Sequence, residues 1–181
     1  MNKKTVMVGA VVIFLAGSIL GNFAIKMFKQ PPEPSEATQS LIGSPAPTFH
    51  LKALDGVRED SSQWLGKIQV INFWGTWCPP CKEEIPTLID VQERYADRGV
   101  QIIGISVQDK LSAVKRYAQD NGINYVLLDG DNDGIDLATQ LGNDLGILPY
   151  TVLLDRDGRI AYVKYGLISL KTLESEINKL I

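Results

Sequence analysis

Two cysteines three positions apart constrain this 181-residue chain more than any other feature. They lie in Phe73-Trp74-Gly75-Thr76-Trp77-Cys78-Pro79-Pro80-Cys81-Lys82. Before them runs a β-branched and aromatic stretch of strand length, 67–74; after them, 79–98 shows helical spacing. With no other thiol, the chain cannot build crossing disulfides, so any disulfide is local. A disulfide needs Cα atoms about 4.4–6.8 Å apart, and the first turn of a helix brings positions i and i+3 into that range. Cys78, placed at the helix N-cap, faces unpaired backbone N–H groups and the positive end of the helix dipole, which favours its thiolate. Cys81, one turn in, is expected to be the more buried thiol. Zinc wants four ligands, and neither a second cysteine pair nor a histidine lies nearby. Covalent haem attachment wants histidine after the second cysteine, where Lys82 stands. Two inert core cysteines are the bland alternative; the flanking Trp77 and the strand-to-helix position favour redox chemistry.

The single histidine removes whole classes of enzyme. Cys-His and Ser-His-Asp hydrolases and two-histidine zinc motifs need an imidazole beside the chemistry, and only His50 is available. It sits in the alternating stretch Thr48-Phe49-His50-Leu51-Lys52, which reads as an exposed strand position. Residues 1–29 hold four lysines and no acid, leaving 14 basic and 21 acidic residues beyond, a net of −7. An acidic body without a basic cluster argues against nucleic-acid binding.

Residues 5–25 carry no charge and, as a helix, span about 31 Å, the thickness of a bilayer core. A poor cleavage site at Asn22-Phe23-Ala24 favours an uncleaved transmembrane anchor over a signal peptide. Lys3 and Lys4 on one side face Lys26 and Lys29 on the other, so charge sets orientation weakly. The domain plan is therefore an anchor over 1–29, a proline-rich polar linker over 30–40, and a folded domain over 41–181. In that domain, strands at 67–74, 100–107 and 125–128 alternate with helices at 79–98, 110–119 and 135–141, implying a central sheet with crossovers. Pro86 removes one backbone donor from the first of these helices and is expected to kink it. Strands at 150–154 and 160–164 flank a hairpin signal at 155–159, and 170–180 closes as an amphipathic helix.

These motifs together resemble the thioredoxin superfamily, and within it the membrane-anchored TlpA/ResA-like thiol-disulfide oxidoreductases. The resemblance covers 41–181, on Ile42-Gly43-Ser44-Pro45-Ala46-Pro47, INFWGTWCPPCKEEIP, Gly104-Ile105-Ser106-Val107 and ILPYTVLLDRDGRI. It implies an α/β fold with a central mixed sheet flanked by helices, an N-terminal hairpin, and a strand-helix insertion over 125–141. It also implies attack by Cys78 and resolution by Cys81. Pro149 would be a cis-proline facing the dithiol, and substrate would touch Trp77, Pro79, Leu148 and Pro149. Glu84 matches an acidic residue near the dithiol in many relatives; a solvated helix-start carboxylate is the alternative. Asn72 stands where thioredoxin has a buried aspartate. The implied activity is reduction of disulfides in extracytoplasmic proteins, apocytochrome c among them, by a single-pass protein of the bacterial inner membrane whose domain faces the periplasm. Its partners would be disulfide-containing proteins and a membrane-embedded or soluble thiol reductant, with no cofactor.

Two other readings share parts of this pattern. A peroxiredoxin-like peroxidase shares the fold, but its threonine normally stands three positions before the reactive cysteine, whereas Thr76 stands two before Cys78. Asp129-Gly130-Asp131-Asn132-Asp133-Gly134 resembles the opening of a calcium loop, yet Gln140 occupies the position that needs a bidentate glutamate. An acid-rich turn before a helix accounts for the stretch.

Overall fold

Strand β3 (Ile68–Trp74) is buried at every position, because it lies in the middle of the sheet with helices on both faces. The computed structural model describes residues 32–181; the anchor expected over 1–29, and the first residues of the linker, lie outside them. Around β3 the strands run in the order β2-β1-β5-β4-β3-β6-β7. They are β1 (His50–Ala53), β2 (Arg58–Asp60), β4 (Val100–Ser106), β5 (Val126–Asp129), β6 (Tyr150–Leu154) and β7 (Ile160–Tyr165). β3, β4 and β5 are parallel neighbours, and β1, β2, β6 and β7 pair antiparallel. The sheet is thus mixed, as the resemblance implied.

Alternation along β3 divides the core. Ile68, Val70 and Trp74 meet Ile85, Leu88 and Val91 of α2 (Pro79–Tyr95), Val114 of α3 (Leu111–Asp120), and Leu173 and Ile177 of α5 (Leu170–Asn178). Ile71 and Phe73 face the other way, toward Phe49, Trp64 and Leu137 of α4 (Asp131–Gln140). Each such side chain, fully buried, contributes about 1.5–3 kcal/mol. The N-terminal hairpin is β1-β2, with His50 opposite Asp60 at the sheet edge and exposed, as its alternation implied. α2 continues through Pro86, which lies on its exposed face.

Two segments differ from the sequence reading. α4 begins four residues before the expected 135, inside the acid-rich stretch. Gly130 is its N-cap, and Asp131 and Asp133 place carboxylates in the first turn, where the helix dipole favours them. The linker expected over 30–40 is not extended beyond Pro34. Ser35 caps a short helix, α1 (Glu36–Gln39), by accepting from Thr38 N, and Thr38 is buried. One capping hydroxyl and one buried threonine are enough to dock a stretch whose composition is that of a spacer.

Candidate active site

The parallel strands β3, β4 and β5 end at one edge of the sheet, and the cysteines stand there. Cys78 is the N-cap of α2, in extended conformation, and Pro79 and Pro80 occupy the next two positions. Proline suits the first turn because its missing N–H would be unpaired there anyway. Here it has a chemical effect as well: the first backbone donor inside the helix is Cys81 N, which donates to Cys78 Sγ at 3.3 Å. Cys78 and Cys81 form a disulfide with Cα atoms 5.3 Å apart. Cys78 is 4% exposed and Cys81 fully buried.

The residues before Cys78 are held from the loop that follows β4. Thr76 donates its N–H and, at 3.0 Å, its hydroxyl to the Asp109 carboxylate. The Trp77 indole donates to Val107 O at 3.3 Å, while the residue as a whole is 54% exposed. It lies across Gly75, where an added Cβ would sit 2.6 Å from Trp77 Nε1, so glycine at that position makes room for the ring. Asp109, which the sequence motifs do not single out, also accepts from Lys110 N at 2.8 Å.

The Leu148–Pro149 peptide bond is cis. Pro149 is buried and Leu148 half-buried, and Pro149 O accepts from Gly166 N at 2.8 Å. The loop before it is closed by Asn143, whose side chain accepts from Ile147 N and donates to Ile147 O, both at 3.0 Å. Between this loop, Trp77 and α4 lies a groove of about 230 Å³, lined among others by Val107, Ile135, Ala138, Asn143 and Leu148. Leu145 and Leu167 add exposed apolar surface.

Glu84 is 1% exposed, which rules out a solvated carboxylate. It falls on the buried stripe of α2 with Cys81, Ile85, Leu88 and Val91. Its Oε1 accepts from Asn72 Nδ2 at 2.6 Å and its Oε2 from Ile168 N at 3.0 Å. Burial pushes its pKa up to about 7, against the two hydrogen bonds, which pull it down. Asn72 also donates to Thr151 Oγ1 at 3.0 Å, and its Oδ1 is buried without a partner. A neutral amide does not carry a proton, so of the hydrogen-bonded pair Asn72 and Glu84 the ionisable member is Glu84. Among the described residues, no group of three or more histidine, cysteine or acidic side chains comes together to hold a metal ion.

A disulfide across the first turn of a helix, at the C-terminal edge of a mixed sheet, with Leu148 of a cis-prolyl bond packed on the same core cluster as the two cysteines, defines a thioredoxin-fold thiol-disulfide oxidoreductase. The chain belongs to the AhpC/TSA family, whose pattern matches residues 42–163. It is 33% identical over 137 residues to thiol-disulfide oxidoreductase ResA of Bacillus subtilis (strain 168), covering 75% of this chain and 74% of that protein. To the thiol:disulfide interchange protein DsbE of Pseudomonas aeruginosa it is 34% identical, with 80% and 78% covered. Among solved structures, a thiol:disulfide interchange protein of the thioredoxin family from Chlorobium tepidum TLS superposes with a TM-score of 0.69 at 30% identity, over 83% of this chain and 99% of that one.

Proposed function

We propose that this oxidoreductase works as a reductase of disulfides in extracytoplasmic proteins, held at the bacterial inner membrane by residues 1–29. Cys78 thiolate attacks a substrate disulfide; one substrate sulfur leaves as thiolate and takes a proton, and a mixed disulfide remains on Cys78. Cys81, deprotonated, then attacks Cys78 Sγ, releasing the second substrate thiol and forming Cys78–Cys81. Two electrons pass from dithiol to substrate, and a thiol reductant, membrane-embedded or soluble, restores the dithiol. Glu84 is the catalytic acid-base: with a pKa of about 7 it can take the Cys81 proton near neutrality. Trp77, Pro79, Leu148 and Pro149 receive the substrate backbone beside the sulfur. Apocytochrome c, which must present free thiols for haem attachment, is a substrate of this class.

The observation that carries the reading is the cap itself: Cys78 Sγ at a helix N-terminus, hydrogen-bonded by Cys81 N. No histidine stands between the cysteines to hold the thiolate at very low pKa, which favours the reducing direction. The peroxidase alternative is disfavoured because the Thr76 hydroxyl is engaged by Asp109 rather than directed at Cys78. The test is trapping in cells with Cys81→Ala, in which the mixed disulfide on Cys78 cannot be resolved. Recovery of disulfide-linked extracytoplasmic proteins supports the reading. No linked protein, with Cys78 still open to alkylation, counts against it, as does a measured potential in the range of strong oxidants.

A further inference from the structure

Helix α1 is docked on the loop that delivers Pro149. Thr38 Oγ1 donates to Gly142 O at 2.8 Å, and Ser35 Oγ donates to Asp144 Oδ2 at 2.7 Å. Tyr165 Oη, 3.2 Å from Thr38 Oγ1, reaches both Gly142 O, at 2.6 Å, and Asp144 Oδ1. Tyr150 Oη donates to Leu141 O at 2.8 Å. Thr38 and Tyr165 are buried, where a hydroxyl left unpaired costs about 1–3 kcal/mol. Gly142 has φ of +101°, and a Cβ there would sit 2.7 Å from Thr38 Cγ2. The backbone at 142 is thus shaped to admit α1.

What the contacts hold is of functional interest. Gly142 and Asp144 flank Asn143, which closes the turn onto Ile147, and Leu148–Pro149 follows at once. Asn143 and Leu148 line the groove beside Trp77. Hydrogen bonds from Tyr165 and Ser35 hold the Asp144 carboxyl below its usual pKa, so it is a charged acceptor at neutral pH, the stronger kind.

We propose that Ser35, Thr38, Asp144 and Tyr165 are positioning residues for the reaction, holding the loop over 141–148 so that Leu148 and Pro149 meet an incoming substrate chain in fixed geometry. The inference rests on the reading that substrate docks at Leu148 and Pro149. It makes α1, a stretch whose sequence reads as spacer, part of the apparatus that recognises substrate.

The test uses the full chain with Thr38→Val, which keeps shape and removes the donor, Thr38→Ser, which keeps the donor, and Ser35→Ala at a half-buried site. Reduction of insulin disulfides reads docking of a protein substrate, and reduction of 5,5′-dithiobis(2-nitrobenzoate) reads the dithiol alone. Amide hydrogen exchange over 141–148 reads the loop directly. Thr38→Val is expected to raise KM for insulin about fivefold, the effect of one net hydrogen bond, with kcat and the small-disulfide rate within about twofold. Its exchange over 141–148 should speed up by a similar factor, while Thr38→Ser stays native. A fall in melting temperature with native KM and native exchange overturns the proposal, as does an equal loss on both disulfides. If Thr38→Val does not fold, Ser35→Ala carries the same readouts with a smaller expected change. Should the native chain not reduce insulin, the functional reading fails, while exchange still reports whether α1 holds the loop.

Discussion

Two helices start at the same edge of the sheet, each next in the chain after a parallel strand, and they use their N-termini in opposite ways. α2 follows β3 with Cys78 at its cap, two prolines in its first turn and no acid there. α4 follows β5 with Gly130 at its cap, no side-chain bond to that cap, and Asp131 and Asp133 in its first turn. At α4 the positive end of the dipole is answered by the helix's own carboxylates. At α2 it is left to a sulfur. The packing differs in the same sense: a Cβ at Gly130 would sit 2.6 Å from Ile105 Cγ2, so α4 begins where backbone must approach β4 closely. A helix N-terminus is therefore shared electrostatics, and it becomes a redox site only where the cap is a thiol and nothing else in the first turn takes the field.

The largest effect comes from removing the sulfur that distinguishes α2. Cys78→Ala is expected to reduce turnover of insulin disulfides at least about a thousandfold, since the remaining thiol, Cys81, is fully buried and out of reach of a protein disulfide. Residual activity within tenfold of native, measured by turbidity, would break the comparison. The next effect belongs to Glu84. Its carboxyl has an ordinary pKa near 4.5 and a folded value of about 7, so the folded state binds its proton more tightly. Its protonated form costs nothing below pH 4.5, and stability falls as pH rises from there to about 7, reaching a penalty of about 3 kcal/mol beyond. Glu84→Gln should flatten the urea-denaturation profile over that window and make the protein more stable than native at pH 8. A native profile already flat there would remove the burial account.

Transplanting the character of α4 into α2 gives a smaller effect. Pro80→Asp puts an acid in the first turn of α2 and is expected to raise the Cys78 thiol pKa by about half a unit. The readout is the pH dependence of iodoacetamide alkylation in the reduced protein. An unchanged or lowered pKa would mean that the dipole does not set thiolate stability here. The smallest effect is at α4. Asp131 has φ of +40°, a conformation that costs most side chains about 1–2 kcal/mol and glycine little. Asp131→Gly should raise stability by about 0.5 kcal/mol in urea titration and leave the Cys78–Cys81 potential unchanged.

How much of this was readable in the sequence depends on where each partner lies. The β3–α2 junction is local, so strand, cap, prolines and dithiol all follow from ten consecutive residues. The core strands are readable because β-branched runs of this length have few alternatives. Glu84 was half legible, since its spacing from Cys81 and Leu88 places it on the apolar stripe, but its burial depends on Asn72 and Ile168. The start of α4 was misread because Asp131-Asn132-Asp133 has the composition of a turn, and only close packing of Gly130 on β4 shows otherwise. α1 was missed for the same reason: Thr38 owes its burial to Gly142 and Tyr165, more than a hundred positions away in sequence. Contacts of that separation leave no periodicity to read.

An open sheet risks pairing with other chains along both of its outer strands. β2, at one outer edge, is three residues long and reads Arg58-Glu59-Asp60, too short and too charged to template a foreign strand. At the other edge, the start of β7 is covered: Gly43 N donates to Ile160 O at 2.7 Å, Ile160 N donates to Ser44 O at 2.9 Å, and Pro45 bridges Arg159. With one margin short and charged and the other capped at its entry, the fold guards both ends of its own sheet against edge-to-edge pairing.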